Sequence, residues 1–292
     1  MGFLLLSSHL GDPQRKVLTV AQLRNLGMRI RQMRISDPDR ELNAEDLISL
    51  GYDRSNAERI LRLLSDTKQL QWYLHKGKMS DIHPITRVSK DYPSVLKHAL
   101  GLDSPGCLWV KGDISILDSP AVSLVGSRDL SPMNREFARE AGRQAAMQGY
   151  VLISGNARGA DKEAQEACLK AGGKVISIVA DRLDSHYARK NVLYLSEDGF
   201  DLDFTTARAL SRNRVIHALG KLTLVAQCTL ETGGTWDGTT KNLRHAWSSV
   251  FCFDDGSVAA KELEQRGAML IGIDSLSDLG SLPFLEENFI DQ

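Results

Sequence analysis

Cysteine is scarce in this 292-residue chain, and the four present, Cys107, Cys168, Cys228 and Cys252, are widely separated, with no C-x-x-C pair and no Cys/His cluster. That spacing argues against a disulfide framework and a zinc site, and fits buried free thiols in a reducing cytosol. Nor is there an excess of charge of one sign, because 36 Lys and Arg stand against 37 Asp and Glu. Without a global positive field, contact with a nucleic acid would need a local basic patch. Long apolar runs are missing as well. The short one from Phe3 to Leu6 has neither the basic flank nor the long core of a signal peptide, and nothing approaches a membrane span. No internal repeat or low-complexity segment is present. No Walker A lysine follows the glycine-rich turns, and none of them spells G-x-G-x-x-G, which argues against NTP hydrolysis and nicotinamide chemistry. With 42% hydrophobic and 25% charged residues, the expectation is a cytoplasmic globular chain with a sizeable core, no metal and no cofactor.

What is present centres on residues 121–161, which read strand, turn, helix, strand, turn, helix. Ala121 to Val125 is an apolar run stopping at Gly126-Ser127-Arg128, and Val151-Leu152-Ile153 is another, stopping at Ser154-Gly155 with Arg158 and Asp161 beyond. Both turns fall at the carboxyl ends of neighbouring strands, where open parallel sheets bind ligands. Each joins glycine, a hydroxyl and an arginine to the start of a helix, whose free N–H groups favour anions. This is the chemistry of a phosphate site.

Around that centre the chain divides in two. Residues 1–80 read as small helices: Thr19 with Gln22 has capping-box spacing, Leu23, Leu26, Ile30 and Met33 keep one face, and Ala57, Ile60, Leu61 and Leu64 keep another. Arg24, Arg29, Arg31 and Arg34 offer either a DNA-facing stripe or an ordinary solvated face. Residues 81–120 form a lead-in, and from Ala121 strands at 151–153, 174–180, 222–226, 250–253 and 269–273 alternate with helices. Such alternation predicts a parallel sheet with helices on both faces.

Three further groups extend the phosphate chemistry. Arg212, Asn213 and Arg214 sit in a helix over 207–219, where two guanidinium groups could grip phosphate in bidentate fashion. Glu231-Thr232-Gly233-Gly234-Thr235 reaches the same sheet edge as the first two turns, with Glu231 either a structural residue or a general acid or base. His186-Tyr187-Ala188-Arg189-Lys190-Asn191 mixes an aromatic with cations, as single-strand binding surfaces do. His217 and His245 read as core or surface residues.

Taken together, these motifs resemble the DprA/Smf family of DNA-processing proteins. The similarity runs from Arg87-Val88-Ser89-Lys90-Asp91-Tyr92-Pro93 through Leu108–Gly112, Val125–Arg128, Ser154–Asp161, Gly172–Lys174 and Leu195–Glu197 to Arg212–Ile216. The sequence departs from the family pattern at Ala160, Gln165, Ala188 and Thr232–Thr235. The resemblance implies an extended Rossmann-like domain over 81–292, preceded by a small helical, SAM-like domain over 1–80. It also implies single-stranded DNA as ligand without strong sequence preference, a RecA-type recombinase as partner in recombination or natural transformation, a homodimer, and no catalysis or membrane. Carried onto this chain, Gly126, Ser127, Arg128, Ser154, Gly155, Arg158, Arg212, Asn213, Arg214, Gly233 and Thr235 would bind the strand, with Arg189 and Lys190 at the rim. The wider superfamily leaves two alternatives open. One is a LOG-type phosphoribohydrolase using Glu231 or Asp237, and the other is a sensor of a nucleotide-derived signal, as in phage defence.

Overall fold

The computed structural model describes residues 1–33 and 41–283, so Arg34 of the arginine series and the acidic end of the tail lie outside the described residues. Among the described residues five helices come first: α1 (Gly2–Ser7), α2 (Val20–Gln32), α3 (Ala44–Ser49), α4 (Arg54–Ser65) and α5 (Thr67–Met79). The capping box read at Thr19 and Gln22 forms, each side chain bonding the other's backbone N–H and fixing the start of α2. Leu23, Leu26, Leu47, Ala57, Ile60 and Leu63 bury a small core between α2, α3 and α4.

The rest alternates: β1 (Ile82–Thr86), α6 (Ser94–Leu100), β2 (Cys107–Lys111), β3 (Ala121–Val125), α7 (Pro132–Met147), β4 (Val151–Ser154), α8 (Ala160–Lys170), β5 (Lys174–Ile178) and β6 (Val192–Ser196). Then follow α9 (Thr206–Leu219), β7 (Leu222–Val225), α10 (Gly233–His245), β8 (Ser249–Phe253), α11 (Val258–Gln265) and β9 (Met269–Ile271). Among the described residues one sheet of nine strands results, in the order β1-β2-β6-β5-β4-β3-β7-β8-β9. From β6 to β9 neighbours run parallel, whereas β2 pairs antiparallel with both β6 and β1.

The expected parallel sheet is therefore extended by an antiparallel flank built from the lead-in. The sequence reading also passed over β6, a strand of five residues following a long polar excursion. It is nonetheless interior, and all five of its residues are buried. Alternation within strands splits the core into two layers: Val122, Leu124 and Leu152 face α7 and α8, while Ala121, Val125, Val151 and Ile153 face α9. Helix α7 starts as its sequence dictates, with the Ser131 hydroxyl accepting from Asn134 N and Pro132 at the first helical position.

The feature that positions the site is the reversal of strand order beside β3. From β3 the chain builds outward through β4, β5 and β6, then α9 carries it back across to β7 on the other flank of β3. The loops after β3 and β7 diverge there, leaving a crevice at the carboxyl ends of the strands. All four cysteines are free and buried, and burial pushes the Cys107 and Cys168 thiols up to about 12. Among the described residues no helix is long and apolar enough to cross a membrane.

Candidate nucleic-acid interface

The crevice is a cavity of about 430 Å³ walled by the turn after β3, the first half of α9 and the start of α10. A second hollow of about 290 Å³ adjoins it across Arg128, Phe204 and Arg212, and is bounded by the turn after β4. The loops around them are fastened to one another. Ser127 N donates to Gln227 O at 2.9 Å, Ala160 N to Ser127 O at 3.1 Å, and the Thr235 hydroxyl to Gly126 O at 3.0 Å. Asn213 Nδ2 donates to Gly234 O at 3.0 Å, tying α9 to the start of α10. Gly159 completes the lattice with φ +86°, and a side chain there would strike the carbonyls of Ser127 and Arg128.

Arg212 lies at the floor, 8% exposed, and its guanidinium makes no hydrogen bond or ion pair among the described residues. Beneath it is Asp161, whose Oδ2 accepts from the backbone N–H groups of Gly155 and Ala157, both at 3.1 Å. Burial pushes the Asp161 carboxyl above its usual range, opposed by the nearby Arg212 charge; burial likewise lowers Arg212, opposed by Asp161. Each group thus offsets only part of the other's desolvation, and the cation keeps donor capacity directed at the crevice. Gly155 makes the arrangement possible, since a β-carbon there would fall on the Arg212 guanidinium. At the mouth, the Arg128 guanidinium lies 5.9 Å from the centre of the Phe204 ring, which is 49% exposed. Helix α10 opens onto the same space without a side-chain cap, so its first-turn N–H groups are free to meet an anion.

Of the residues singled out in the sequence, Gly126, Ser127, Arg128, Arg212, Asn213, Gly233 and Thr235 line the main cavity, and Gly155 and Arg158 line the adjoining hollow. Arg158 is exposed and bridges to Asp129 at 2.8 Å, across the two turns. Ser154 is fully buried, and its hydroxyl accepts from Gln165 Nε2 at 2.5 Å. Arg214 is also kept out of the cavity. Two positions along a helix from Arg212, it points to the far side and pairs with Glu197 at 2.6 Å. Arg189 and Lys190 are exposed on the loop before β6 and reach neither hollow.

Glu231 and Asp237 do not line the cavity either: Glu231 is exposed at φ +53°, and Asp237 pairs with Lys241 on α10. In the arginine series, Arg24 pairs with Asp103 at 2.8 Å, and Arg29 donates to Leu50 O and lies over the Tyr52 ring. Among the described residues no group of three or more His, Cys, Asp or Glu could hold a metal. Sequence reasoning missed Phe204, Leu210 and the supporting role of Asp161. The available signal was a lone aromatic between polar neighbours in Asp203-Phe204-Thr205, directly before an arginine-bearing helix.

Comparison with known proteins follows the same lines. The family model described as DNA recombination-mediator protein A matches residues 83–273, well over half of the chain. The DNA processing protein DprA of Streptococcus pneumoniae is 30% identical over 182 residues, covering 58% of this chain and 64% of that protein. For the DprA of Bacillus subtilis the identity is 25% over 210 residues, or 68% and 70% of the two chains. Protein Smf of Escherichia coli is 30% identical over 162 residues, and this chain spans 43% of its length. Among solved structures, that of the Streptococcus pneumoniae protein superposes with a TM-score of 0.71 at 25% identity, covering 88% of this chain and 91% of that one. The DNA processing protein A of Helicobacter pylori, described for its single-stranded DNA binding mode, gives 0.57 at 25% identity, covering 68% and 94%. With its doubly wound sheet, its paired glycine-rich turns and this match, the chain belongs to the DNA recombination-mediator protein A family.

Proposed function

We propose that the crevice binds single-stranded DNA with little sequence preference, as part of a DNA-processing role in which the strand passes to a RecA-type recombinase. The observation that carries this reading is Arg212, a cation almost wholly buried yet lining both hollows, whose guanidinium makes no hydrogen bond or ion pair among the described residues. A buried guanidinium without a full set of partners is costly, and a phosphate oxygen supplies what it lacks. Arg128 and the free N–H groups at the start of α10 add further phosphate contacts. The Phe204 ring offers a stacking face, which any base can use. Each of these contacts addresses backbone or base face rather than base edge, so sequence is not read. The described binding of the Helicobacter pylori relative supports the same ligand. Handover to a recombinase and homodimer formation extend this reading from the family resemblance.

Fluorescence anisotropy with labelled oligo-dT, single-stranded against duplex and at two salt concentrations, tests it. The expected result is tighter, salt-sensitive binding of the single strand, unaffected by nucleoside monophosphates. Absence of DNA binding, or displacement by a low concentration of one mononucleotide, would overturn it in favour of a small-ligand site.

A further inference from the structure

On the far side of Leu210 a second groove begins. Leu210, 37% exposed on α9, lines both the main cavity and a hollow of about 160 Å³, which shares Ser211, Arg214 and Trp247 with a further hollow of about 310 Å³. Nothing in the phosphate chemistry of the crevice accounts for this groove. Its distinguishing feature is an aromatic pair at the end of α10. The His245 and Trp247 rings are stacked, with centres 5.4 Å apart and planes within 9°. Between them Ala246 adopts left-handed φ/ψ of 52° and 45°, a conformation strained for a residue that carries a β-carbon. That backbone turns two aromatics separated by one residue to the same side.

Charge points the same way. Lys241, Arg244 and His245 fall at spacings of three and four on one face of α10, and all three are exposed. The carboxylates near the groove are already matched, Asp103 by Arg24, Glu197 by Arg214 and Asp237 by Lys241. Arg244 has no ion-pair partner among the described residues. A flat aromatic pair flanked by the unpaired Arg244, contiguous with a phosphate-binding crevice, fits a nucleic-acid strand better than an apolar peptide.

We infer that a strand held in the crevice continues over Leu210 and lays one base on the His245–Trp247 pair, with a phosphate against Arg244. This rests on the reading of the crevice as a single-strand site. The groove would make binding length-dependent: a short strand fills the crevice alone, and a longer one gains the second foothold.

The test compares oligo-dT of about six and about twenty nucleotides by anisotropy on the whole chain. The His245→Ala/Arg244→Ala double variant is expected to bind the short oligonucleotide like the unmodified protein and the long one about 5- to 100-fold more weakly. Quenching of tryptophan emission by the long oligonucleotide alone, abolished in Trp247→Phe, gives an independent readout. If the double variant keeps the full gain with length while Arg212→Met weakens both oligonucleotides, the groove is not part of the path. If the short oligonucleotide fails to bind even the unmodified protein and Arg212→Met changes nothing, the crevice reading fails and this inference falls with it.

Discussion

Replacing Arg212 by methionine removes the charge and keeps most of the side-chain volume, so it isolates what the buried guanidinium contributes. A hydrogen bond to a charged group contributes about 1.5–3 kcal/mol, so losing one phosphate contact lowers affinity about 10- to 150-fold. All sequences should be weakened alike, because the contact addresses backbone. One lost contact should also reduce the slope of log affinity against log salt by about 0.7 for a single strand. The variant has a structural cost too, since Asp161 loses its cation and keeps only the Gly155 and Ala157 N–H groups at 3.1 Å. Pairing it with Asp161→Asn removes the uncompensated charge, so thermal stability should recover in the double variant while binding stays weak. Anisotropy titrations at several salt concentrations, alongside melting curves, separate the two effects. A folded double variant with wild-type affinity and salt slope would refute the assignment of Arg212 to phosphate.

Three further outcomes are expected. His217 is fully buried among Thr223 and Asn242, with a folded-state value near 3 against 6.5 unfolded. The unfolded chain therefore takes up the proton first, and this stability is present above pH 6.5 and lost as pH falls toward 3, about 2 kcal/mol between pH 7 and 5. Urea unfolding at both pH values should show that loss, and His217→Gln should flatten it. Gly142→Ala should lower the melting temperature in spite of the usual helix gain of about 1 kcal/mol, because the new methyl would strike the Ala164 backbone where α7 crosses α8; a rise would contradict the close packing. Asp129→Asn should release the exposed Arg158 and tighten single-strand binding about two- to threefold at low salt, an advantage that anisotropy should find erased at high salt.

Much of the site was legible because it is local. An apolar run, a glycine turn and a helix cap are written in consecutive residues, and the turns after β3 and β4 stand where that pattern puts them. Less legible was anything set by three-dimensional neighbours. Arg212, Asn213 and Arg214 look like one grip along the sequence, but helical rotation sends Arg212 to the crevice and Arg214 to Glu197. Ser154 has the right residue type at the right turn, yet as the last residue of a central strand its hydroxyl is spent on Gln165. Phe204 carries no periodic signal, because it belongs to the irregular segment before α9, and its place at the mouth depends on where that helix docks. Strand β6 becomes visible only once β5 and β2 are seen to flank it.

Tyr73 gives the molecule a mechanical property that the site does not reveal. Its ring stacks on Phe200 at 4.1 Å and meets Trp109 edge-on at 4.9 Å, while its hydroxyl donates to Asp201 at 2.7 Å and accepts from Phe200 N. Helix α5 is thereby keyed into β2 and the loop after β6, so the leading helices cannot melt away and leave the sheet intact. Stripping them would uncover Trp109 and Phe200, both fully buried, and orphan Asp201. Denaturation should accordingly be one cooperative event, with the near-ultraviolet signal of Trp109 vanishing at the same denaturant concentration as the helical signal. Tyr73 acts as a keystone: a change there loosens the whole arch.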